Sequence, residues 1–294
     1  MKILLVGKNG QVGWELARIL TKLGELTAIG RSDLDLTDAA KIRQTIRSTQ
    51  PDVIINAAAY TAVDKAETES ELAMAINGAV PGIMAAEAKK LNCTLIHYST
   101  DYVFDGAKRS PYVESDSTNP LNVYGRSKLA GEQAIAASGA MHLIFRTSWV
   151  YSPRGSNFLL TVKRLLREKR ELRIANDQIG SPTSAADIAE GTVRALKTFL
   201  KEPQLRREQI SGLYHLTAAG ETSWYGFAEE ILKGEGANLH SVIPKLSSIS
   251  TAEYPTPARR PLYSVLSNQK LRQTFGFQLP PWKEGLKKVL TASS

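Results

Sequence analysis

Cysteine and histidine are scarce in this chain of 294 residues. Cys93 is the single cysteine, so no disulfide can form within the chain. The four histidines, His97, His142, His215 and His240, are scattered and do not have the spacing of a structural zinc site. We therefore expect neither disulfides nor zinc to hold the fold, and we expect Cys93 to be a small residue packed in front of a strand.

Long apolar runs are also absent. No uninterrupted hydrophobic stretch approaches the roughly 20 residues that a membrane-spanning helix needs. The opening residues, MKILLVG, enter a β-strand rather than the apolar segment and cleavage site of a signal peptide. With 43% hydrophobic residues the chain can still bury a sizeable core in one or two domains. The sequence predicts a soluble globular protein of the cytoplasm that does not use a membrane.

Acidic residues are outnumbered, because 37 Lys and Arg residues against 29 Asp and Glu residues give a formal charge of +8. Such an excess attracts nucleic acid, a membrane surface or an anionic small molecule. The densest basic stretch, 163–173, follows the polar face of a predicted helix without interleaved aromatic residues, and no nucleic-acid-binding motif accompanies it. We interpret the stretch as a solvated face and expect an anionic metabolite, not nucleic acid, as the partner.

Three glycines lie between the first predicted strand and the first predicted helix. Residues 2–7 form an apolar, β-rich run, and helical periodicity begins at Trp14. The spacing G-x-x-G-x-x-G is one residue longer in its first gap than the usual dinucleotide fingerprint. Glycine lets backbone N–H groups approach a pyrophosphate, and the helix N-terminus adds partial positive charge. A plain loop is the alternative, but the place between strand and helix favours nucleotide binding. The predicted cofactor contacts here are Gly7, Gly10, Gln11, Val12 and Gly13.

The end of the second strand bears on the choice of cofactor. A carboxylate at this position binds the 2′-hydroxyl of the adenosine ribose, whereas an arginine suits a 2′-phosphate. Here Gly30 and Arg31 follow the strand, which favours NADPH over NADH. Asp33 and Asp35 lie close by in the sequence, so use of NADH as well stays open. Asp35 and Leu36 are predicted beside the adenine, although a turn that caps the next helix explains them equally well.

Two further buried strands end in small or hydroxyl side chains. Residues 52–56 read as a parallel strand buried on both faces, and ligands of such sheets collect at the carboxyl ends of the strands. The strand over 94–101 ends in hydroxyls, of which Thr100 is predicted to face a bound carbonyl. A helix over 70–91, kinked at Pro81, joins the two strands. The cofactor contacts predicted at these strand ends are Ala58, Ala59, Tyr60, Thr61 and Tyr98.

Tyr124 and Lys128 stand four residues apart on a predicted helix. Side chains at i and i+4 share one helix face, so we expect the phenol and the ammonium in one pocket. A neighbouring cation lowers the pKa of a phenol, ordinarily about 10, and the phenol can then exchange a proton with a carbonyl or an alcohol. Many solvated helix faces have the same spacing. Because the glycine loop and Thr100 precede this pair, we predict that Tyr124, Lys128 and Thr100 are catalytic and that Tyr124 and Lys128 also contact the cofactor.

Strands and helices alternate along the first half of the chain, which predicts an α/β fold. We expect a Rossmann-type doubly wound parallel sheet with a smaller, discontinuous α/β substrate lobe. The nucleotide-binding core is expected over 1–150, with later segments such as 184–220 returning to it, and the lobe mainly over 151–294. The later elements are expected as strands over 142–151 and 212–216, and as helices over 157–170, 184–200 and 222–234 with a final helix after Trp282.

The order of these features is that of the extended branch of the short-chain dehydrogenase/reductase superfamily, which this chain resembles. Several segments are similar to signature segments of the dTDP-4-dehydrorhamnose reductase family within that branch. They are STDYVF at 99–104, PLNVYG at 120–125, FRTSWVY at 145–151, DQIGSPT at 177–183 and YPTPARRP at 254–261. With the glycine loop, these segments extend the resemblance over nearly the whole chain.

The resemblance implies NADPH-dependent reduction of the C4 keto group of dTDP-4-dehydro-β-L-rhamnose, the last step of dTDP-L-rhamnose biosynthesis. Tyr124 would give a proton to the C4 oxygen, Lys128 would lower the tyrosine pKa and bind the nicotinamide ribose, and Thr100 would orient the oxygen. In the family, positions matching Thr100, Asp101 and Trp149 contact the sugar nucleotide. For Trp149, packing between the two lobes is the alternative.

Other functions are compatible with the same fold. Sugar-nucleotide dehydratases have an Asp-Glu pair after the threonine, and Tyr102 replaces that glutamate here. An epimerase would keep its cofactor, whereas Arg31 favours exchangeable NADPH. A regulatory subunit without turnover would keep the fold, but the intact Thr100, Tyr124 and Lys128 disfavour it.

A metal site of the family is expected to be missing here. Some members dimerise around Mg²⁺ held by glutamates of both subunits, and Glu15 matches the first of these glutamates. The other positions match Ala186 and Ala292, which offer no side-chain oxygen ligand. The sequence therefore predicts no protein-bound Mg²⁺, and it leaves both a monomer and a homodimer open.

Overall fold

Parallel strands dominate the computed structural model, which describes residues 1–235 and 244–291. Its strands are short, and most of them lie in the first half of the chain. Within the described residues they are β1 (Lys2–Val6), β2 (Glu25–Ile29), β3 (Val53–Asn56), β4 (Thr94–Thr100), β5 (His142–Thr147), β6 (Val150–Tyr151), β7 (Glu171–Ala175), β8 (Ile179–Gly180), β9 (Thr183–Ser184), β10 (Gly212–His215), β11 (Thr222–Ser223) and β12 (Lys245–Ile249).

Helices connect most of these strands. Within the same residues they are α1 (Gln11–Leu20), α2 (Ala39–Thr49), α3 (Val63–Ala66), α4 (Ser70–Met74), α5 (Val80–Leu91), α6 (Val123–Ser138), α7 (Phe158–Glu168), α8 (Ala185–Lys201), α9 (Gln204–Ile210), α10 (Trp224–Glu235), α11 (Gln269–Phe275) and α12 (Trp282–Thr291). None of the helices in the described ranges has the length and apolar character needed to cross a bilayer.

The central sheet has six parallel strands in the order β10-β5-β4-β3-β1-β2. The chain moves outward from β1 in both directions, so a crevice opens at the carboxyl ends of β1 and β3, the place where ligands bind in such sheets. The predicted Rossmann-type parallel sheet is therefore confirmed.

Both faces of the sheet are covered, which explains the nearly continuous apolar strands. Successive side chains of a strand point to opposite faces. Ile3 and Leu5 therefore join one core cluster, with residues of α1, α8 and α11, whereas Leu4 and Val6 join the other, with residues of α2, α5 and α6. The prediction for Cys93 is confirmed: it is buried in the second cluster just before β4, and burial raises its pKa to about 12.

A second, smaller core lies beyond the sheet. It is built around the buried Phe227 of α10, with residues of α7, β7 and α12. The short strands of this region pair in three separate sheets: β7 with β12, β8 with β11, and β6 with β9. Meanwhile α8 packs on α1, and β10 completes the six-stranded sheet. The exact division into a core over 1–150 and a lobe over 151–294 stays a prediction.

Two expected elements are wrong in detail. The strand expected over 142–151 is broken, because Trp149 takes a left-handed conformation with φ of 46° between β5 and β6. The helix expected over 70–91 is interrupted by a π-helical turn, Ala75–Ala79, and not by a kink at Pro81. Pro81 instead lies in the first turn of α5, where its missing N–H leaves no helical hydrogen bond unmade.

The basic stretch 163–173 is largely a solvated face whose charges find partners. Arg164 pairs with Glu168 one turn later, at 2.8 Å between Nη1 and Oε2. Lys163 and Arg167 both reach the buried carboxylate of Glu235, at 3.0 and 3.3 Å. The excess charge of the chain is therefore not concentrated here as a free cationic surface. His240 lies outside the described residues.

Candidate active site

The glycine loop joins β1 to α1 and is shaped by close backbone contacts. Gly7 has a φ of 94°, and a Cβ at Gly13 would lie 2.0 Å from the carbonyl oxygen of Gly7. Gly10 caps α1 without a side-chain hydrogen bond, so the first N–H groups of the helix are left for an anion. The loop thus fits a pyrophosphate in the way that the sequence predicts.

The side chains of this loop have structural partners of their own. Gln11 accepts hydrogen bonds through Oε1 from Ser152 Oγ at 2.9 Å and from Asn157 Nδ2 at 2.8 Å. Val12 packs against the first core cluster. Both residues therefore offer a ligand their backbone, and Gln11 also fastens the glycine loop to the region that follows β6.

The end of β2 places opposite charges side by side. Asp33 accepts a hydrogen bond from the Gly30 N–H at 2.8 Å and pairs with Lys8 Nζ at 2.7 Å. The bond to Lys8, followed by that to Gly30, lowers the pKa of Asp33. Arg31 is exposed beside them. The sequence analysis did not single out Lys8. Its place inside the glycine loop, next to the end of β1, was the signal that could have indicated it.

The pair Asp35 and Leu36 behaves as a turn. The Asp35 carboxylate accepts from the Thr37 N–H at 2.9 Å and from its hydroxyl at 2.8 Å, and these bonds lower the pKa of Asp35. Leu36 packs on the second core cluster, and Asp38 caps α2 by accepting from the Lys41 N–H. The structure therefore favours the turn-and-cap interpretation, and adenine contacts by Asp35 and Leu36 stay a prediction.

The segment after β3 is fixed by an asparagine from the π-helical turn. Asn77 accepts from the Tyr60 N–H at 2.8 Å and donates to the Tyr60 carbonyl at 2.9 Å and to Ser127 Oγ of α6 at 3.0 Å. Asn77 thereby links the predicted cofactor segment to α6, and π-helical turns are frequent at functional sites. No local sequence pattern indicates this link. Ala59 and Thr61 are exposed along this segment, and Ala58 is partly buried.

Thr100 and Asp101 form a buried pair at the end of β4. Thr100 Oγ1 donates to Asp101 Oδ1 at 3.0 Å, and the other carboxylate oxygen accepts from Ser264 Oγ at 2.6 Å. Burial raises the pKa of Asp101 to about 7, against the lowering effect of these two bonds. Asp101 is 2% exposed, so it holds Thr100 rather than presenting an open carboxylate. Ser264 was missed because it is distant in sequence and belongs to no motif.

Tyr124 lies in the first turn of α6, beside Thr100. The Asn122 side chain caps this helix by accepting from the Gly125 N–H at 2.8 Å, and its amide donates to the Arg259 carbonyl at 2.8 Å. Burial raises the pKa of Tyr124 to about 12, with the Thr100 hydroxyl lowering it and Asp101 raising it further. The Tyr102 ring stands edge-on to the Tyr124 ring at 5.8 Å.

Lys128 is buried one turn further along α6. Its Nζ donates to the Tyr98 carbonyl at 2.6 Å and lies 3.1 Å from His97 Nε2. Burial lowers the pKa of Lys128 to about 8, while Glu132 acts in the opposite direction. Both hydrogen-bond partners given for the amino group therefore belong to strand β4.

Two expectations are corrected by this arrangement. Lys128 does not lower the pKa of Tyr124 here, because loss of water around the phenol outweighs other effects and the amino group turns to the acceptors of β4. The Tyr98 side chain does not face the cofactor crevice, because its hydroxyl lies 2.8 Å from Thr192 Oγ1 of α8 and its ring is in the first core cluster. Tyr98 acts on the site through its carbonyl.

Trp149 stands where the sheet meets the second core. Its indole stacks on that of Trp224 at 3.5 Å and 5°, and Trp224 Nε1 donates to Gln178 Oε1 at 3.1 Å. One indole face of Trp149 is thus covered, as packing between lobes requires. A contact between Trp149 and a sugar nucleotide stays a prediction. Trp224, which packs on Trp149, is a residue that the sequence did not single out.

Arg260 is directed into the fold, next to the site. It pairs with Asp64 at 2.8 Å between Nη2 and Oδ2, and it also donates to the Thr256 hydroxyl and the Ala258 carbonyl. The charge of Asp64 therefore compensates the Arg260 guanidinium. Arg259 is exposed on the same loop.

The region around Glu15 bears on the predicted absence of Mg²⁺. Burial raises the pKa of Glu15, and Arg18, Arg154 and Glu190 act on it through their charges. Among residues 1–235 and 244–291, no three His, Cys, Asp or Glu side chains are grouped so that they suit a metal. Ala292 lies outside these residues. The absence of protein-bound Mg²⁺ therefore stays a prediction.

Comparison with known proteins identifies the family of this chain. The model of the RmlD substrate binding domain matches residues 1–294. A dTDP-4-dehydrorhamnose reductase of Burkholderia thailandensis is 48% identical, over 96% of each chain. A reductase of the same name from Clostridium acetobutylicum superposes with a TM-score of 0.91 at 38% identity over 99% of each chain. The Bacillus anthracis reductase, solved in complex with NADP, has a TM-score of 0.90 at 34% identity, again over 99% of each chain. This chain belongs to the RmlD substrate binding domain family.

Proposed function

We propose that the protein reduces the C4 keto group of dTDP-4-dehydro-β-L-rhamnose to give dTDP-β-L-rhamnose, with NADPH as the reductant. One observation carries the proposal: the Tyr124 phenol lies against the Thr100 hydroxyl at the carboxyl end of β4, and the Lys128 amino group binds the Tyr98 carbonyl of the same strand. The relatives named above are reductases of this substrate by name, and one of them was solved with NADP.

The residues that would hold the cofactor fit it chemically. The uncapped N-terminus of α1 and the glycines of the loop suit the pyrophosphate, as described above. At the end of β2, the exposed guanidinium of Arg31 suits a 2′-phosphate, while the Asp33 carboxylate is already paired with Lys8. This charge balance supports NADPH over NADH. When bound, the nicotinamide supplies the hydride that reaches C4.

The proton comes from Tyr124. A phenol whose pKa is raised to about 12 stays protonated at neutral pH, so the donor form is the resting form. As negative charge develops on the C4 oxygen, Tyr124 gives up its proton, while the Lys128 amino group, held by the Tyr98 carbonyl, would bind the nicotinamide ribose. Thr100 orients the oxygen, with its own hydroxyl held by Asp101. The proton donor and its supports are thus in place before the substrate arrives.

The sugar nucleotide binds between the sheet and the second core in this proposal. We assign the sugar nucleotide to the space bordered by Trp149, with Asp101 as a support for Thr100 and not as an open ligand. Tyr102 follows Asp101 where a dehydratase needs a glutamate, and it contacts Arg260 rather than offering an acid. Reduction without elimination of water is therefore the reaction that this chain supports.

The decisive experiment follows the oxidation of NADPH, and separately of NADH, with dTDP-4-dehydro-L-rhamnose. Tyr124→Phe deletes only the proton donor, so we expect kcat to fall about 10² to 10⁴-fold while NADPH binding stays nearly unchanged. Tyr102→Phe is the matched control, because it removes a phenolic hydroxyl from the adjacent ring. Wild-type enzyme that does not oxidise either cofactor with this sugar would refute the proposal, and so would full activity of Tyr124→Phe.

A further inference from the structure

Three polar side chains form a buried line behind the catalytic helix. Asn56 ends β3, His97 lies in the neighbouring β4, and Lys128 comes from α6; each is at most 2% exposed. We infer that Asn56 and His97 are positioning residues that hold the amino group of Lys128 and keep it hydrogen-bonded in both of its protonation states. The inference rests on the proposed function in that it takes Lys128 as part of the catalytic machinery.

The contacts run in sequence from one side chain to the next. His97 Nδ1 lies 3.2 Å from Asn56 Nδ2, and His97 Nε2 lies 3.1 Å from Lys128 Nζ. Asn56 is itself oriented, because its Oδ1 accepts the Ala58 N–H at 3.2 Å. Within the described part of the chain, the Tyr98 carbonyl is the other hydrogen-bond partner of the Lys128 amino group. His97 therefore supplies one of its two fixed contacts.

The imidazole suits this place because it is neutral and has two different nitrogens. Burial, with the charge of Lys128 adding to it, holds the pKa of His97 well below its usual range. A neutral ring has one N–H and one lone pair. If Asn56 donates to Nδ1, then Nε2 carries the hydrogen and donates to an uncharged Lys128 amine. In the other tautomer, Nε2 accepts from the ammonium and Nδ1 donates, which requires the Asn56 amide to rotate so that its Oδ1 turns from the Ala58 N–H to Nδ1. A carbonyl such as that of Tyr98 can only accept.

The Lys128 amino group needs such a partner because burial lowers its pKa to about 8, close to neutrality. The charged and titratable groups around it are Tyr124 and Glu132 on its own helix, with Arg146 of β5 paired to Glu132. Strand β4 contributes His97 and Tyr98, and β3 contributes only the uncharged Asn56. The line also reaches the predicted cofactor segment, because the Ala58 N–H orients the Asn56 amide.

Asn56→Asp tests the electrostatic part of this inference. A carboxylate at position 56 can only accept, so it fixes the hydrogen on His97 Nδ1, makes Nε2 an acceptor, and adds a negative charge. All three effects stabilise the Lys128 ammonium, and we expect the pKa of Lys128 to rise by about one unit or more. The measurement is an NMR titration of protein labelled with ¹³C at lysine Cε, with the Lys128 signal assigned by its loss in Lys128→Met.

The control is His215→Leu, which removes another fully buried histidine, one that lies in β10 and is separated from β4 by strand β5. We expect it to leave the Lys128 titration unchanged. An unchanged midpoint in Asn56→Asp would overturn the inference, as would an equal shift in His215→Leu. The titration needs neither cofactor nor sugar nucleotide, so its outcome is independent of whether the proposed reaction is correct.

Substitution of His97 tests the positioning part through kinetics. In His97→Leu the Lys128 amino group keeps only the Tyr98 carbonyl, so we expect kcat to fall about tenfold to a hundredfold with little change in the KM for the sugar nucleotide. His97→Gln places an amide near the Nε2 position that can donate or accept, and it should recover most of the rate. If His97→Leu does not fold, the rate of His97→Gln and the Lys128 titration of Asn56→Asp still test the inference. Equal losses in the Leu and Gln variants would contradict the role.

Discussion

The pocket formed by β4, β5 and α6 and the second core around Phe227 are stabilised by different kinds of interaction. In the pocket, the charged groups are buried and paired: Arg146 and Glu132 form two hydrogen bonds of 2.9 and 2.7 Å, with side chains only 4% and 6% exposed. In the second core, aromatic rings stack on one another, the Glu235 carboxylate is the buried charge paired with Lys163 and Arg167, and the pair Arg173–Glu253 lies in solvent. Directional bonds fix atoms for chemistry, whereas stacked rings give an apolar surface with fewer geometric demands.

Removing one charge from each region should give the widest contrast. Glu132→Ala leaves the Arg146 guanidinium buried without its partner, so we expect a loss of about 3–5 kcal/mol in the free energy of unfolding. Arg173→Ala breaks an ion pair in solvent and should cost less than about 1 kcal/mol. Chemical denaturation of both variants measures the two losses. Similar losses would show that the two regions do not differ in this respect.

The pH dependence of stability should separate the regions next. The pKa of Asp101 is raised to about 7 in the folded protein, so its protonated form stabilises the fold at low pH, and this contribution is lost as pH rises through about 7. Asp101→Asn stays neutral throughout. Its unfolding free energy relative to wild type should therefore increase between pH 5 and pH 8.5. A difference that does not vary with pH would contradict the raised pKa.

Each of the two regions has a glycine at the same position of a helix. Gly125 is the third residue of α6, and a Cβ there would lie 2.2 Å from the Tyr102 carbonyl oxygen. Gly226 is the third residue of α10, and a Cβ there meets the Thr222 hydroxyl at 2.5 Å, which can rotate away. We expect Gly125→Ala to cost about 1–3 kcal/mol and to reduce kcat, because Tyr124 moves with the helix. Gly226→Ala should cost less, and thermal unfolding with kinetics compares the two.

The smallest effect is expected from the stacked rings. Trp224→Leu removes the partner of the Trp149 indole but keeps an apolar side chain. Loss of an aromatic pair should lower the free energy of unfolding by about 0.5–1.5 kcal/mol, and the less constrained Trp149 indole should raise the KM for the sugar nucleotide about two- to tenfold. We expect kcat to stay near the wild-type value. A fall in kcat without a change in KM would instead place Trp224 among the residues that act on the chemical step.

The same contrast explains how much the sequence could predict. The six-stranded sheet, the glycine loop and the spacing of Tyr124 and Lys128 follow from local patterns: apolar runs, glycine positions and helix periodicity. The second core does not, because β7 pairs with β12 across some 70 residues of chain and two-residue strands have no period to detect. The direction of the Lys128 amino group was missed for a similar reason. A histidine in a buried strand looks like any core residue until its neighbours are known.

Asn122 has a consequence for how the protein is made. It caps the helix that carries Tyr124, and it also donates to the carbonyl of Arg259, 137 positions later in the chain. During synthesis the start of that helix lacks this contact until the segment near the C-terminus has left the ribosome. A nascent chain therefore gains this contact only late in translation, and products that end before Arg259 are expected to have a less firmly held start of α6.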